Sequence, residues 1–223
     1  MADKEILIFV EGPSDKVFLE VYLYFLEDFP IKNFKVKDVK GKDNLSKRLL
    51  EIEKYDKTLI IFDANKDYES NKKEILTVVS KRKQTISEEQ IFLFPNNQDD
   101  GDLETLLLEI AKHDEFLKCF ESYLECIKSK EHHEPIKNIR KNMLYAYLEV
   151  FELQKFFQYK WDTNNKKQEK CLIDDKGKIK EKHKEEYEKL KEVIDFNSKS
   201  LIPLKDFLGQ FAENKQKTKL KIF

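Results

Sequence analysis

The sequence predicts an α/β protein: a parallel, Rossmann-like sheet flanked by helices, followed by a helical C-terminal extension. Three observations predict it. Short apolar runs typical of buried strands alternate with helical patterns through the first half, two of those runs end in acidic residues, and no hairpin turn joins neighbouring runs. The order βαβαβαβ requires crossover connections and therefore a parallel sheet with helices on both faces.

The first strand is Ile6-Leu7-Ile8-Phe9-Val10, an unbroken branched and aromatic run ended by Glu11-Gly12-Pro13 and hence suited to burial on both faces. Pro13 fits the first turn of a helix, Ser14 or Asp15 can cap or charge it, and Val17, Phe18, Val21, Tyr22, Phe25 and Leu26 return at helical spacing. Glu11 therefore stands at the carboxyl end of a buried strand, where open α/β sheets place their ligands. Phe34 to Val39 alternates apolar with polar residues, as an outer strand does. Gly41-Lys42-Asp43-Asn44 then turns the chain into a helix carrying Leu45, Leu49, Leu50 and Ile52, and leaves Lys42 as a loop cation at a strand end.

Thr58 to Phe62 is a second buried run, and it delivers Asp63-Ala64-Asn65-Lys66-Asp67 to its carboxyl end. A helix over Glu69 to Lys83 turns Ile75, Leu76, Val78 and Val79 inward, and Ile91 to Phe94 is a fourth strand stopped by Pro95. The polar loop Asn96 to Asp102 leads into a helix from Leu103. Asp99, Asp100 and Asp102 suit its amino end, whereas Glu104 interrupts its apolar face.

Beyond about residue 112 the alternation gives way to helices. We expect an α/β unit over residues 1–112 and a helical extension over 113–223 packed on it, with a charged, mobile segment near 164–192. His113 to Lys128 and Ile139 to Phe157 carry apolar residues three and four apart, as does Leu201 to Phe211. Their aromatic stripe reads as core. Cys119 and Cys126, a heptad apart, read as buried free thiols, and His132-His133 as a surface pair lacking a third ligand. The tail Lys215 to Lys221 suits an edge strand or an arm contacting phosphates.

Hydrophobic residues make up 40% of the 223, with 17 Phe and 9 Tyr, so a large core is affordable despite 38% charged residues. With 42 Lys and Arg against 43 Asp and Glu, nucleic-acid affinity would need a segregated basic face rather than net charge. No apolar run reaches the ~18 residues of a membrane span, and Met1 to Lys4 carries no signal region, so a soluble, cytoplasmic protein without membrane attachment is expected. Three cysteines without paired spacing argue against a disulfide framework.

In a parallel sheet both acidic strand ends fall on one edge, so Glu11 and the Asp63 to Asp67 cluster can converge on one hard cation. Oxygen-only ligands favour Mg2+ or Mn2+ over zinc.

These features resemble the Toprim domain, the metal-binding module of topoisomerases, bacterial primases, RNA-maturing nucleases and OLD-family nucleases. The resemblance is carried by Glu11 with Gly12, and by an Asp-x-Asp-x-Asp pattern that stands here as Asp63, Asn65 and Asp67. The interval from Glu11 to Asp15 and the Leu103-Glu104 step look more like the OLD group. Gly41 to Leu45, Pro95 to Asn97 with Gly101 to Glu104, and Leu144 to Leu148 are similar to a family of small stand-alone Toprim-like proteins. The resemblance implies a metal-dependent phosphodiesterase acting on DNA or RNA, with Glu11, Asp63, Asn65 and Asp67 as the metal group. Asp15 and Glu104 would support a second ion or position water, and Lys42 or Lys66 would neutralise developing charge. Asn65 departs from the pattern, since an amide replaces a carboxylate. That keeps open a non-catalytic module binding one divalent ion, a nucleotide or a partner protein.

Overall fold

In a computed structural model, residues 5–25, 34–80, 86–131, 136–157 and 179–211 are described. Four strands, β1 (Ile6–Val10), β2 (Phe34–Asp38), β3 (Lys57–Asp63) and β4 (Ile91–Phe94), form one sheet in the order β2-β1-β3-β4. All neighbours are parallel, with Ile8 opposite both Val36 and Leu59, and Ile61 opposite Phe92. The outer place expected for Phe34 to Val39 is the one β2 takes.

Each strand turns alternate residues to opposite faces, which divides the apolar side chains into two cores. Ile6, Ile8, Val10, Leu59, Ile61, Phe92 and Phe94 face the larger core, against α1 (Pro13–Phe25) and α4 (Leu103–Glu109). Leu7, Phe9, Ile60, Phe62, Ile91 and Leu93 face the smaller, which α2 (Leu45–Arg48) and α3 (Tyr68–Ser80) cover with Leu45, Ile75 and Val79. The helix expected to carry Leu45 through Ile52 is shorter than its pattern. It tightens into a 3-10 stretch over Leu49–Lys54, leaving Leu50 63% exposed because the tighter winding takes it off the inward stripe.

The later helices belong to the larger core. Leu144, Tyr147 and Leu148 of α6 (Ile139–Val150), Tyr187, Leu190 and Val193 of α7 (Lys184–Val193), and Leu204, Phe207 and Leu208 of α8 (Ile202–Gly209) are all buried there. Backbone bonds fasten these helices to the sheet layer: Lys112 N–H donates to Val193 O at 2.9 Å and Asp195 N–H to Ile110 O at 2.7 Å. The Tyr147 hydroxyl donates to Val193 O at 2.6 Å, and the Ser14 hydroxyl, at the start of α1, donates to Phe157 O at 3.1 Å.

Of the charged segment near 164–192, the last part is α7, whose Tyr187 and Leu190 are buried, while residues 164–178, with Cys171, lie outside the described residues. Two expectations need correction. α5 (Asp114–Lys128) buries none of its residues, so its aromatic stripe is not core. Cys119 and Cys126, on that helix, are exposed rather than buried. Helical spacing fixes which residues share a face, and the packing of α5 across the outside of α6 decides how little of that face is covered. His132-His133 and the tail from Lys215 lie outside the described residues.

Candidate functional site

The strand order places a topological switch point between β1 and β3: the chain leaves β1 for β2 on one side, and leaves β3 for β4 on the other. Such a point opens a crevice at the carboxyl ends of the two strands, because their following loops diverge. Glu11 follows β1 and Asp63 ends β3 at that crevice. Asp15 comes from the first turn of α1 and Glu104 from the first turn of α4. Alternation from Ile61 turns Asp63 toward the face that α1 and α4 cover, where it lies in the fields of Asp15, Glu104 and Glu11.

Local chemistry holds each carboxylate. Asp15 is only 7% exposed, and its Oδ2 accepts from Gly12 N–H at 2.7 Å. Asp63 Oδ1 accepts from Leu103 N–H at 3.0 Å, which joins the end of β3 to the start of α4. Glu11 Oε2 is buried with no hydrogen-bond partner among the described residues. A buried acceptor left without a donor costs about 1–3 kcal/mol, more for a charged group, so it marks where a donor or cation is missing.

All four acids titrate above their ordinary range. Burial pushes the Asp15 carboxyl up to about 7, helped by the charges of Glu104 and Glu11 and opposed by the Gly12 N–H. Burial also raises Asp63 well above its ordinary value, and the charges of Asp15, Glu11 and Glu104 raise it further. Glu11 is raised by burial, while the Asp63 N–H and the nearby Lys42 ammonium pull it down. Glu104 is raised by burial and by Asp102, and lowered by Lys141 and Arg140. The network is therefore a set of like charges sharing one partly dry volume, which a cation would relieve.

The rest of the expected set is placed otherwise. Asp67 is exposed and caps α3, its Oδ1 accepting from Ser70 N–H at 2.9 Å. Asn65 is exposed in the left-handed region at φ 57°, donating its N–H to Gly101 O at 2.6 Å and its Nδ2 to Asp63 O at 3.3 Å. Both follow from the tight turn out of β3, which uses their polar groups to hold the turn. Lys66 is exposed and makes no hydrogen bond or ion pair among the described residues. Lys42 donates to Asn71 Oδ1 at 2.8 Å and to Glu74 Oε2 at 2.6 Å while its charge still reaches Glu11.

The polar loop after β4 is a brace. Asp102 caps α4 by accepting from Thr105 N–H at 2.8 Å, and Asp100 caps α3 by accepting from Tyr68 N–H at 2.8 Å. Gly101 adopts φ 152°, and a Cβ there would lie 2.9 Å from Pro95 Cδ and 3.0 Å from Thr105 Oγ1, so this position admits only glycine without a shift. Sequence reading missed the cations at the start of α6. Arg140 Nη1 donates to Thr105 Oγ1 at 2.6 Å and stands 3.4 Å from Asp102 Oδ1, and Lys141 lies in the field of Glu104. The adjacent Arg140-Lys141 pair was the available signal, but nothing local ties it to Glu104.

Among the described residues no three His, Cys, Asp or Glu side chains are spaced to hold a metal ion as they stand. Mg2+ does not require such a cage: it keeps several waters and takes one or two carboxylates together with substrate phosphates. The unpartnered Glu11 Oε2 beside mutually repelling oxygens fits a hard cation of that kind.

Fold and site together define an α/β protein whose parallel sheet gathers one buried and three half-buried carboxylates at its switch point. The chain belongs to the family described as Protein of unknown function (DUF3226), whose model matches residues 5–213, sheet and later helices alike. No curated protein and no solved structure matches it.

Proposed function

We propose that this protein is a metal-dependent phosphodiesterase of Toprim type that cleaves DNA or RNA. One observation carries the reading: Glu11 and Asp15, Asp63, and Glu104, from three separate stretches of sequence, share one electrostatic environment at the β1/β3 switch point, and one buried oxygen of Glu11 lacks a partner among the described residues. Structural ion pairs do not explain it, because burial is the largest cause of the raised titration of all four acids, and Asp15 and Asp63 are raised further by the charges of the others.

Glu11 and Asp63 would hold Mg2+ or Mn2+, which supplies Lewis-acid polarisation of a phosphoryl oxygen and offsets the carboxylate charge. Asp15 Oδ2 is engaged by the Gly12 N–H, which leaves Oδ1 as the oxygen that can take a proton when the carboxyl protonates. Glu104, at the amino end of α4, positions water or accepts a proton at the same edge. Lys42, beside Glu11, opposes negative charge that develops on phosphate. The capping of α3 by Asp67 and the turn contacts of Asn65 favour an ion held by Glu11 and Asp63 rather than by the whole Asp63, Asn65 and Asp67 series.

A second reading rests on the same turn. With Asn65 and Asp67 engaged elsewhere, the protein is a non-catalytic module that binds one divalent ion. Incubation of the protein with labelled single- and double-stranded DNA and RNA, with Mg2+, Mn2+ or chelator, separates the two. Cleavage that needs the ion and disappears in Glu11→Gln supports the enzyme. An ion-induced rise in melting temperature without cleavage of any substrate supports the module.

A further inference from the structure

We infer that Arg140 and Lys141, at the start of α6, seat a phosphate next to the one at the acidic crevice, so that the site takes a polynucleotide strand rather than an isolated phosphate ester. The inference deepens the phosphodiesterase reading and rests on it for the position of the neighbouring phosphate.

The geometry is that of an acidic centre with cations on two flanks. On one flank Lys42, from the loop after β2, reaches Glu11 with its field while its ammonium pairs with Glu74. On the other, α6 packs its amino end against that of α4. Arg140 Nη1 bonds Thr105 Oγ1 at 2.6 Å, the residue after Glu104, so the guanidinium is held at the rim of the crevice with 50% of its side chain exposed. That bond uses one nitrogen of a group with five N–H donors in a planar fork, and the others suit a phosphate. Lys141 is also exposed, its ammonium 5.7 Å from the Tyr145 ring centroid, and its charge acts on Glu104.

Two cations at the rim are not explained by stability. Among the described residues their one acidic hydrogen-bond contact, Arg140 with Asp102, is long at 3.4 Å, and Asp102 is already occupied in capping α4. Exposed pairs of this kind contribute little to stability. A chain with a net charge of -1 has no general attraction for nucleic acid, so a strand would be held by local placement of charge around the ion. A phosphomonoester needs one anion seat. Cations on both flanks of the acids suit successive phosphates of a strand crossing the edge of the sheet.

The test measures binding of fluorescent 12-nucleotide DNA and RNA by anisotropy in Ca2+, over a range of salt, for wild type, Lys141→Gln, Lys141→Arg and Arg140→Gln. Melting temperatures with and without Mn2+ are recorded for each protein. Lys141→Gln should weaken strand binding about tenfold and lower the salt dependence by about 0.7, the loss expected for one single-strand phosphate contact, and Lys141→Arg should restore both. Arg140→Gln should do the same, with some loss of melting temperature from the lost Thr105 bond. Unchanged affinity and salt dependence in Lys141→Gln and Arg140→Gln overturns the inference, as does failure of the wild type to bind either strand. The Mn2+-induced gain in melting temperature reports separately on the ion. Its absence in a wild type that binds strands through these residues removes the metal reading and leaves the strand seat standing.

Discussion

Replacing Asp15 with Asn tests the acidic network directly. The carboxyl is 7% exposed and titrates at about 7 in the folded protein against 3.8 ordinarily. Because the folded value is raised, the unfolded chain loses its proton first as pH rises. The favourable contribution is therefore complete below about 4 and is lost as pH climbs through 7. Each pH unit in that window costs up to about 1.4 kcal/mol, so the roughly three units between the two values set a ceiling of about 4 kcal/mol. Asn keeps an oxygen for the Gly12 N–H and places an NH2 among carboxylates that can accept from it, so the variant escapes the penalty. Urea unfolding in chelator at pH 4.5, 6 and 8 should show Asp15→Asn gaining stability over wild type progressively with pH and levelling off above 7. Mn2+ should narrow the gap at pH 8, since the ion relieves in wild type what the substitution removes. Parallel stability curves for the two proteins would refute the network.

Glu11→Gln should keep the melting temperature of the ion-free protein within a few degrees and abolish the gain from Mn2+, measured by scanning fluorimetry, since Oε2 is the unpartnered oxygen. Asp67→Ala should cost about 0.5–2 kcal/mol through the lost cap yet leave the Mn2+ gain intact; a lost gain would return Asp67 to the ion. Gly101→Ala should lower stability by about 1–3 kcal/mol, more than Gly41→Ala, because a Cβ at Gly41 meets nothing within 4 Å. Tyr147→Phe should cost about 1–2 kcal/mol in denaturant unfolding, as it strips the donor from the buried Val193 carbonyl and the acceptor from His113 N–H.

The fold was legible because its signals are local. Buried parallel strands need unbroken apolar runs, and Ile6 to Val10, Thr58 to Phe62 and Ile91 to Phe94 supply them between helical patterns, so three strands follow from these runs and the fourth, β2, from the alternation of Phe34 to Asp38. The strand ends were legible too, since Glu11 and Asp63 stand where apolar runs stop. Glu104 was visible as an acid on an apolar helix face, and its neighbourhood with Asp15 required the packing of α4 beside α1.

Sequence determined which residues reach the carboxyl edge of the sheet, and only the tertiary structure decided which of them meet. The spacing of Asp63, Asn65 and Asp67 offered three candidates, of which Asn65 departed from the pattern. The turn out of β3 gave Asp63 to the crevice and spent the other two on holding backbone N–H and C=O groups, a demand that appears only when α3 and the Gly101 loop are in place. The exposure of α5 was likewise set by what packs nearby rather than by its amphipathic pattern. Arg140 and Lys141 lie some 36 residues beyond Glu104, and only the docking of α6 onto α4 puts their charge at the site, because Coulomb forces act through space and leave no periodicity in the chain.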